Sequence, residues 1–247
     1  PRRYGDPEGT RALFGYFGGL IPPPFTLEDA IKSGVLTRYF YYPQRISLSS
    51  REQEEWDTIT NEIRTVLARM GNKANGNINI NSNPRLKQLL INRSRIVKNA
   101  SGKVPLAIKV LKEKFKPGQK WIIYCDNISQ LNEVCSQART AGFDAYEYYA
   151  EMEGDRDTTL EYFSQNGGVL VSIKCLDEGV DIPSTTDALV LASSQNPREF
   201  IQRRGRILRN SAGKLFAHLY DAITVPVVAE DENEKGMSII AAELSRA

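Results

Sequence analysis

The pattern of hydrophobic and polar residues from about residue 101 onward predicts alternating strands and helices. Five segments read as strands: WIIYC (121–125), DAYEYY (144–149), GVLVSI (168–173), ALVLAS (188–193) and KLFAHLYDAI (214–223). Helical periodicity precedes the first strand, in a helix that Ser101 can cap and that ends near Phe115. It also lies between the strands, in a helix containing Leu131, Val134, Cys135 and Ala138 and in segments 155–163 and 199–210. This alternation is typical of right-handed βαβ units. The fold class is therefore α/β with a mostly parallel sheet, and ligands are expected at the loops that follow the strands.

The first fifty residues have a less regular pattern. Thr26 and Asp29 have the spacing of a capping box, which predicts a short helix over TLEDAIKSG that ends at Gly34. LTRYFYYPQRISLS (36–49) alternates like a strand, and Pro43 is expected to interrupt it.

Two further helices are predicted before residue 101. The first should begin at Ser50 and end at Gly71, and a second should cover roughly 84–98. The first helix has one apolar face, made of Trp56, Ile59, Ile63, Val66, Leu67 and Met70. GNKANGNININ (71–81) is rich in glycine and asparagine and is predicted to be a mobile insertion near 71–83.

Composition narrows the class of protein. The chain has 247 residues, 41% of them hydrophobic and 25% charged, and has no apolar run long enough to suggest a membrane span. The start, PRRYGDPEGT, does not resemble a signal peptide. Cys125, Cys135 and Cys175 lack C-x-x-C spacing, so we expect reduced thiols in a cytoplasmic protein and no metal site. His218, the only histidine, lies in an apolar run, where a strand histidine with satisfied hydrogen bonds is a better interpretation than a catalytic base.

Charge is distributed unevenly, although the formal net charge is only +2. Residues 85–120 contain Glu113 as their single acidic residue, whereas residues 126–161 are mainly acidic. The basic residues of the first stretch are Arg85, Lys87, Arg93, Arg95, Lys98, Lys103, Lys109, Lys112, Lys114, Lys116 and Lys120. Such separation favours a basic side suited to a polyanion, although solvated helix faces are the more common cause.

The stretch EFIQRRGRILRN (199–210) carries four arginines. On a helix, Gln202, Arg206 and Arg209 share one side, and Gly205 beside them leaves room for a ligand to approach. Four apolar residues face the other way and can bury against a sheet: Phe200, Ile201, Ile207 and Leu208. Two guanidinium groups at i and i+3 can hold one phosphate between them. The alternative is a solvated basic face or a general nucleic-acid patch.

A second informative stretch is DEGVDIP (177–183), which follows a predicted buried strand. Gly179 permits a close backbone approach, and Asp181 lies on a short loop made rigid by Pro183. A carboxylate there can accept hydrogen bonds from ribose hydroxyls, although an ordinary turn aspartate fits the pattern equally well.

Taken together, DEGVDIP and QRRGRILR, separated by the strand ALVLAS, resemble motifs V and VI of superfamily-two helicases and translocases, and WIIYCDN resembles motif IV. The resemblance covers roughly residues 36–225 and is strongest to bacterial DNA translocases related to the xeroderma pigmentosum B helicase and to restriction-enzyme motor subunits. It implies a RecA-like domain of the P-loop NTPase type, with helices on both faces of the sheet. Residues 1–35 resemble the segment that leaves the first motor lobe, and residues 226–247 are expected to form a C-terminal tail.

The resemblance also assigns roles to residues. It implies that Arg206 and Arg209 are arginine fingers that reach the γ-phosphate of ATP, that Gln202 lines the same cleft, and that Gly179 and Asp181 help to form the nucleotide side. An arginine supplied across an interface is worth roughly 10³–10⁵ in rate in well-studied cases.

The implied partners are nucleic acid, favoured as double-stranded DNA, and an N-terminal helicase lobe. Asn127, Ser172 and Lys174, at strand ends, are weaker candidates for backbone contacts, and each is more often a turn or capping residue. Ile173 stands where many relatives have threonine, which places a hydroxyl contact to nucleic acid there in doubt.

The sequence contains no G-x-x-x-x-G-K-[ST] motif and no acidic Walker B cluster. ATP and Mg²⁺ are therefore expected to be bound mainly by an N-terminal lobe outside this sequence, and this chain alone should not hydrolyse ATP. The alternative is a free-standing nucleic-acid-binding α/β domain. A self-contained phosphatase or nucleotide hydrolase is disfavoured, because no nucleophile or metal cluster is found in the sequence.

Overall fold

The computed structural model describes residues 7–19, 22–23, 25–71, 83–152, 154–173, 185–192, 205 and 207–227. In chain order, the elements of this part are α1 (Pro7–Phe17), α2 (Leu27–Lys32), β1 (Arg38–Ser47), α3 (Ser50–Gly71), α4 (Pro84–Lys98), α5 (Lys103–Lys114), β2 (Lys120–Cys125), α6 (Ile128–Thr140), β3 (Ala145–Tyr148), α7 (Arg156–Asn166), β4 (Gly168–Ile173), β5 (Asp187–Val190) and β6 (Phe216–Val225). None of these helices combines the length and the apolar character needed to cross a bilayer.

The strands form a single six-stranded sheet of order β1-β6-β5-β2-β4-β3. Every neighbouring pair in this order is parallel. The predicted parallel α/β fold is therefore confirmed. Parallel sheets need cover on both faces, which explains why β2, β4 and β5 read as continuous apolar runs.

Apolar side chains cover both faces of the sheet. On one face, Trp121 and Ile123 of β2 pack in a buried cluster with residues of α5 and α6. On the other, Ile122 of β2 and Leu219 of β6 pack with Phe163 of α7 and with Ile207 and Leu208. The expected arrangement with helices on both faces is confirmed.

Helices α3 and α4 pack against each other through a separate apolar cluster. Its buried members are Ile63, Val66, Leu86 and Leu89, and Ile59, Leu67 and Met70 pack against them. This cluster explains most of the apolar face predicted for α3. The pair is joined to the sheet where the Thr224 hydroxyl of β6 donates a hydrogen bond to the Val97 carbonyl of α4 over 3.1 Å.

Most predicted elements of the first hundred residues are present. Thr26 and Asp29 form a capping box at the start of α2, α3 runs from Ser50 to Gly71, and α4 covers 84–98. The predicted insertion at 71–81 lies outside the described residues except for Gly71, which ends α3.

Two local predictions are wrong. Pro43 does not interrupt β1, because β1 is an edge strand with β6 as its one neighbour, and an edge strand tolerates a residue that lacks an N–H donor. Ser101 does not cap α5: the capping position is Gly102, without a side-chain cap. The Ser101 backbone N–H instead donates to Glu52 Oε1 over 2.7 Å.

Candidate functional site

The predicted site residues divide into two groups. Gly179, Asp181, Gln202, Arg206 and Lys174 lie outside the described residues, so their predicted roles stay predictions. The structure describes the other three, Asn127, Ser172 and Arg209.

Arg209 is held by its neighbours in the chain. Ile207 and Leu208 are each 1% exposed, in the apolar cluster on one face of the sheet, which confirms their predicted burial. Arg209 itself is exposed and forms an antiparallel bridge with Leu36. Ile207 and Leu208 thus anchor the backbone in the core, while the Arg209 side chain lies at the surface.

Three polar side chains that the sequence analysis did not identify hold the same segment. The Thr37 hydroxyl donates to Asn210 Oδ1 over 2.6 Å, and Asn210 Nδ2 donates to the Gly34 carbonyl. Lys214 Nζ donates to the Ile207 carbonyl and, over 3.1 Å, to the Arg209 carbonyl. A lysine near the end of a helix commonly satisfies carbonyls that lack a helical partner. The local sequence gives little sign of the Thr37 contact, since its two residues are 173 positions apart.

Asn127 caps α6. Its Oδ1 accepts a hydrogen bond from the Gln130 backbone N–H over 3.0 Å, and its Nδ2 donates to Asn99 Oδ1 over 2.6 Å. Beside it, Asp126 forms an ion pair with Lys98 at 3.4 Å. The capping alternative is thus confirmed, and contact with nucleic acid by Asn127 stays a prediction.

Ser172 is completely buried in β4. Its register partners on the two neighbouring strands, Tyr124 and Tyr148, are also buried. A contact between this hydroxyl and nucleic acid would require its exposure and stays a prediction.

The described site residues lie toward opposite ends of the sheet. Across the sheet, the register of the strands places Ser172 level with Pro43 of β1. Thr37, whose N–H donates to the Leu208 carbonyl, lies six residues before Pro43, at the amino end of β1. At 3.3 Å per residue this is a separation of about 20 Å along the strand direction. The structure therefore does not bring the Arg209 backbone together with Ser172 or Asn127.

The basic stretch 85–120 is divided between internal and exposed residues. Lys103 is 2% exposed and donates to the Leu191 carbonyl, so its charge lies inside the fold. Arg93 lies 5.7 Å from the centre of the Trp56 ring, and Lys98 pairs with Asp126. Other basic residues of the stretch are exposed: Arg85, Lys87, Arg95, Lys109, Lys112, Lys114 and Lys116. Only part of the stretch is therefore available to form the predicted basic side, which stays a prediction.

A pocket of about 510 Å³ lies at the amino ends of β2, β5 and β6, with Lys120, Asp187, Lys214 and His218 in its lining. Burial raises the pKa of Asp187, although a hydrogen bond from the Thr186 hydroxyl opposes the shift. Burial lowers the pKa of Lys214 to about 8.

His218 is a half-buried member of β6. Its Nδ1 lies 3.2 Å from the Tyr42 hydroxyl, and its ring stacks on Phe40 and Tyr42. The interpretation as a strand histidine with satisfied contacts is confirmed.

Comparison with known proteins links this fold to helicases. Residues 102–211 match the family described as Helicase conserved C-terminal domain. A protein of Methanocaldococcus jannaschii named as an ATP-dependent RNA helicase is 29% identical over 135 residues, which are 51% of this chain and 17% of that protein. The DNA 3'-5' translocase XPB2 of Sulfurisphaera tokodaii is 25% identical over 216 residues, 82% of this chain and 47% of that protein.

A solved structure has the same fold over most of the chain. The Sulfolobus solfataricus SWI2/SNF2 ATPase core in complex with double-stranded DNA is 14% identical, with a TM-score of 0.57, and the match covers 81% of this chain and 44% of that one. The chain spans less than half the length of the two curated relatives. The parallel sheet therefore has a RecA-like fold, and residues 102–211, a little under half of the chain, are similar to the C-terminal domains of helicases.

Proposed function

We propose that this chain is the second motor lobe of an ATP-dependent DNA helicase or translocase, in the group of the XPB-type translocases and restriction-enzyme motor subunits. The observation that carries the proposal is the arginine segment, which follows β5 and lies within the matched helicase region. Its base is buried at Ile207 and Leu208, and Arg209 is exposed beyond them. We place this activity in the cytoplasm.

In this proposal, Arg206 and Arg209 are arginine fingers. ATP with Mg²⁺, held mainly by an N-terminal lobe, supplies the phosphoryl group. The residues of this chain would contribute positive charge as negative charge develops on the phosphate, with Gln202, Gly179 and Asp181 lining the same cleft. The exposed position of Arg209 on a segment fixed by main-chain hydrogen bonds fits such a role, because charge stabilisation depends on groups already in place.

We propose double-stranded DNA as the nucleic-acid partner and the N-terminal lobe of the same protein as the protein partner. The relative named as a DNA translocase supports DNA, since its match covers 82% of this chain against 51% for the relative named as an RNA helicase. Exposed lysines at the end of α5, with Asn127 and Lys174 as further candidates, would contact the phosphate backbone, whereas Ser172 would first have to become exposed.

The test uses the protein that carries this chain together with its ATP-binding lobe. Arg206→Lys and Arg209→Lys should each lower DNA-stimulated ATP hydrolysis at least about 100-fold, because lysine keeps the charge but loses the planar fork. Binding to a labelled DNA duplex should stay within about twofold, since one positive charge is retained.

Arg204→Lys is the matched control, because on a helix it points away from the Arg206 side, and it should leave turnover nearly unchanged. A second control is this chain alone, which should hydrolyse no ATP. If all three substitutions weakened DNA binding in parallel and left turnover intact, the segment would be a polyanion patch, as expected for a free-standing nucleic-acid-binding domain.

A further inference from the structure

The backbone that follows Arg206 is bonded to the residues that lead into β1. Thr37 N–H donates to the Leu208 carbonyl over 2.7 Å, and Leu36 bridges Arg209. We name this set of contacts the amino-edge clamp; its members are Gly34, Leu36, Thr37, Leu208, Arg209 and Asn210. Two segments far apart in sequence therefore share one hydrogen-bonded unit.

Asn210 is suited to the centre of this clamp because its amide carries both a donor and an acceptor. Its Oδ1 accepts a hydrogen bond from the Thr37 hydroxyl, on a buried residue, and its Nδ2 donates to the carbonyl of Gly34, just after the end of α2. An aspartate of the same shape would lose the donor and place a negative charge beside that carbonyl.

Lys214 secures the other side of the segment through the Ile207 and Arg209 carbonyls. The segment is thus held by Lys214 on one side and by residues 34–37 on the other, with Ile207 and Leu208 buried between them. The position of the Arg209 side chain therefore depends on the contacts of its backbone with residues 34–37.

We propose that Thr37, Asn210 and Lys214 are positioning residues that couple the arginine segment to the chain arriving at β1. The inference rests on the proposed function, in which residues 1–35 leave the first motor lobe. A displacement of that chain relative to the sheet would then shift the backbone of Arg209, and a misplacement of about 1 Å can cost 10²-fold in rate.

The test again uses the protein with both motor lobes. Thr37→Val removes the hydroxyl that binds Asn210, and Asn210→Asp removes the donor to Gly34. Each should lower the kcat of DNA-stimulated ATP hydrolysis roughly 10-fold while the KM for ATP and the Kd for DNA stay within about twofold. Thr37→Ser keeps a hydroxyl and should restore turnover. Asn132→Asp, at an exposed position of α6, is the matched control and should behave like the unchanged protein.

A second measurement on the isolated chain keeps the inference independent of turnover. Amide hydrogen exchange at Thr37 should become about 5- to 10-fold faster in Asn210→Asp, as expected for the loss of about one hydrogen bond. Turnover that survives Arg206→Lys would refute the proposed function and this inference with it. If Arg206→Lys abolishes turnover but Thr37→Val and Asn210→Asp hydrolyse ATP normally, or if the Thr37 amide exchanges at its original rate, the inference alone is overturned.

Discussion

At the scale of single residues, burial decides the chemistry of the cysteines. Cys125 in β2 is 1% exposed and Cys135 in α6 is completely buried. Burial raises the pKa of Cys125 well above its ordinary value and that of Cys135 to about 12. The thiolate is the reactive form, so both side chains are held as unreactive thiols in the folded chain.

We therefore expect both thiols to resist alkylation until the chain unfolds. In a Cys175→Ser background, iodoacetamide at pH 8 should label Cys125 and Cys135 at the rate of global unfolding, as measured by mass spectrometry. The raised pKa values also set a pH dependence: above about pH 9 the unfolded state loses these protons before the folded state, so the free energy of unfolding should fall as pH rises toward 12. Rapid labelling of the folded chain would show that these sites open locally.

At the scale of elements, the sequence predicts features that depend on nearby residues better than features that depend on one distant contact. The capping box of α2 and the bounds of α4 depend on residues within a few positions of each other, which is why the sequence predicts them. The continuity of β1 through Pro43 depends on its place at the edge of the sheet beside β6, a strand that begins 173 residues after Pro43 (216 minus 43). No residue close to Pro43 in the sequence indicates that β1 lies at the edge of the sheet.

Glu52 links two elements in the same non-local way. Its Oε2 accepts from the Ser49 N–H over 2.8 Å and from the Ser49 hydroxyl over 2.7 Å, which caps α3. Its Oε1 accepts from the Ser101 N–H at the turn before α5. Burial raises the pKa of Glu52, but the hydrogen bonds from Ser49 and Ser101 outweigh burial, so the pKa lies below its ordinary value. The carboxylate thus ties the start of α3 to the start of α5.

Glu52→Gln should lower the free energy of unfolding by about 1 kcal/mol at pH 7, because the amide has one acceptor oxygen and its NH₂ group faces donors. Since the folded pKa is depressed, the stabilisation is present above the unfolded pKa of 4.5 and is lost as pH falls through the folded pKa. Urea unfolding at pH 7 and in the acidic range measures both effects. Glu55→Gln, at an exposed position of α3, is the control, and equal losses in the two variants would contradict the assigned role.

At the scale of the whole molecule, charge along the sequence is only partly a guide to charge on the surface. The parallel sheet and its two covered faces follow from the apolar pattern. The sequence predicts the arginine segment that contains Arg209. It does not predict the hydrogen bonds that hold this segment, because Thr37 and Asn210 are far apart in the sequence and meet only in the folded chain. Likewise, Lys103 and Lys112 look alike in the sequence, yet one is buried against a carbonyl and the other is exposed.

This difference separates the exposed lysines, which we expect to contact nucleic acid, from the lysine that lies inside the fold. We expect the chain to bind a labelled DNA duplex weakly and without sequence preference, with an affinity that falls steeply as salt rises. Replacing Lys112, Lys114 and Lys116 together by alanine should weaken binding and reduce the slope of log K against log salt by roughly two to three, the effect of losing up to three phosphate contacts. Lys32→Ala, at an exposed position of α2, should leave the slope unchanged.

Lys103→Met should act differently, because it leaves the Leu191 carbonyl without its donor and removes a charge that is already inside the fold. Lys103→Met should lower the thermal unfolding midpoint, while the slope of log K against log salt, measured on the protein that stays folded, should not change. Fluorescence anisotropy at several salt concentrations, with an RNA duplex of the same length beside the DNA, measures these slopes. An affinity that does not depend on salt, or a triple variant whose slope matches that of the original chain, would show that Lys112, Lys114 and Lys116 are ordinary solvated surface.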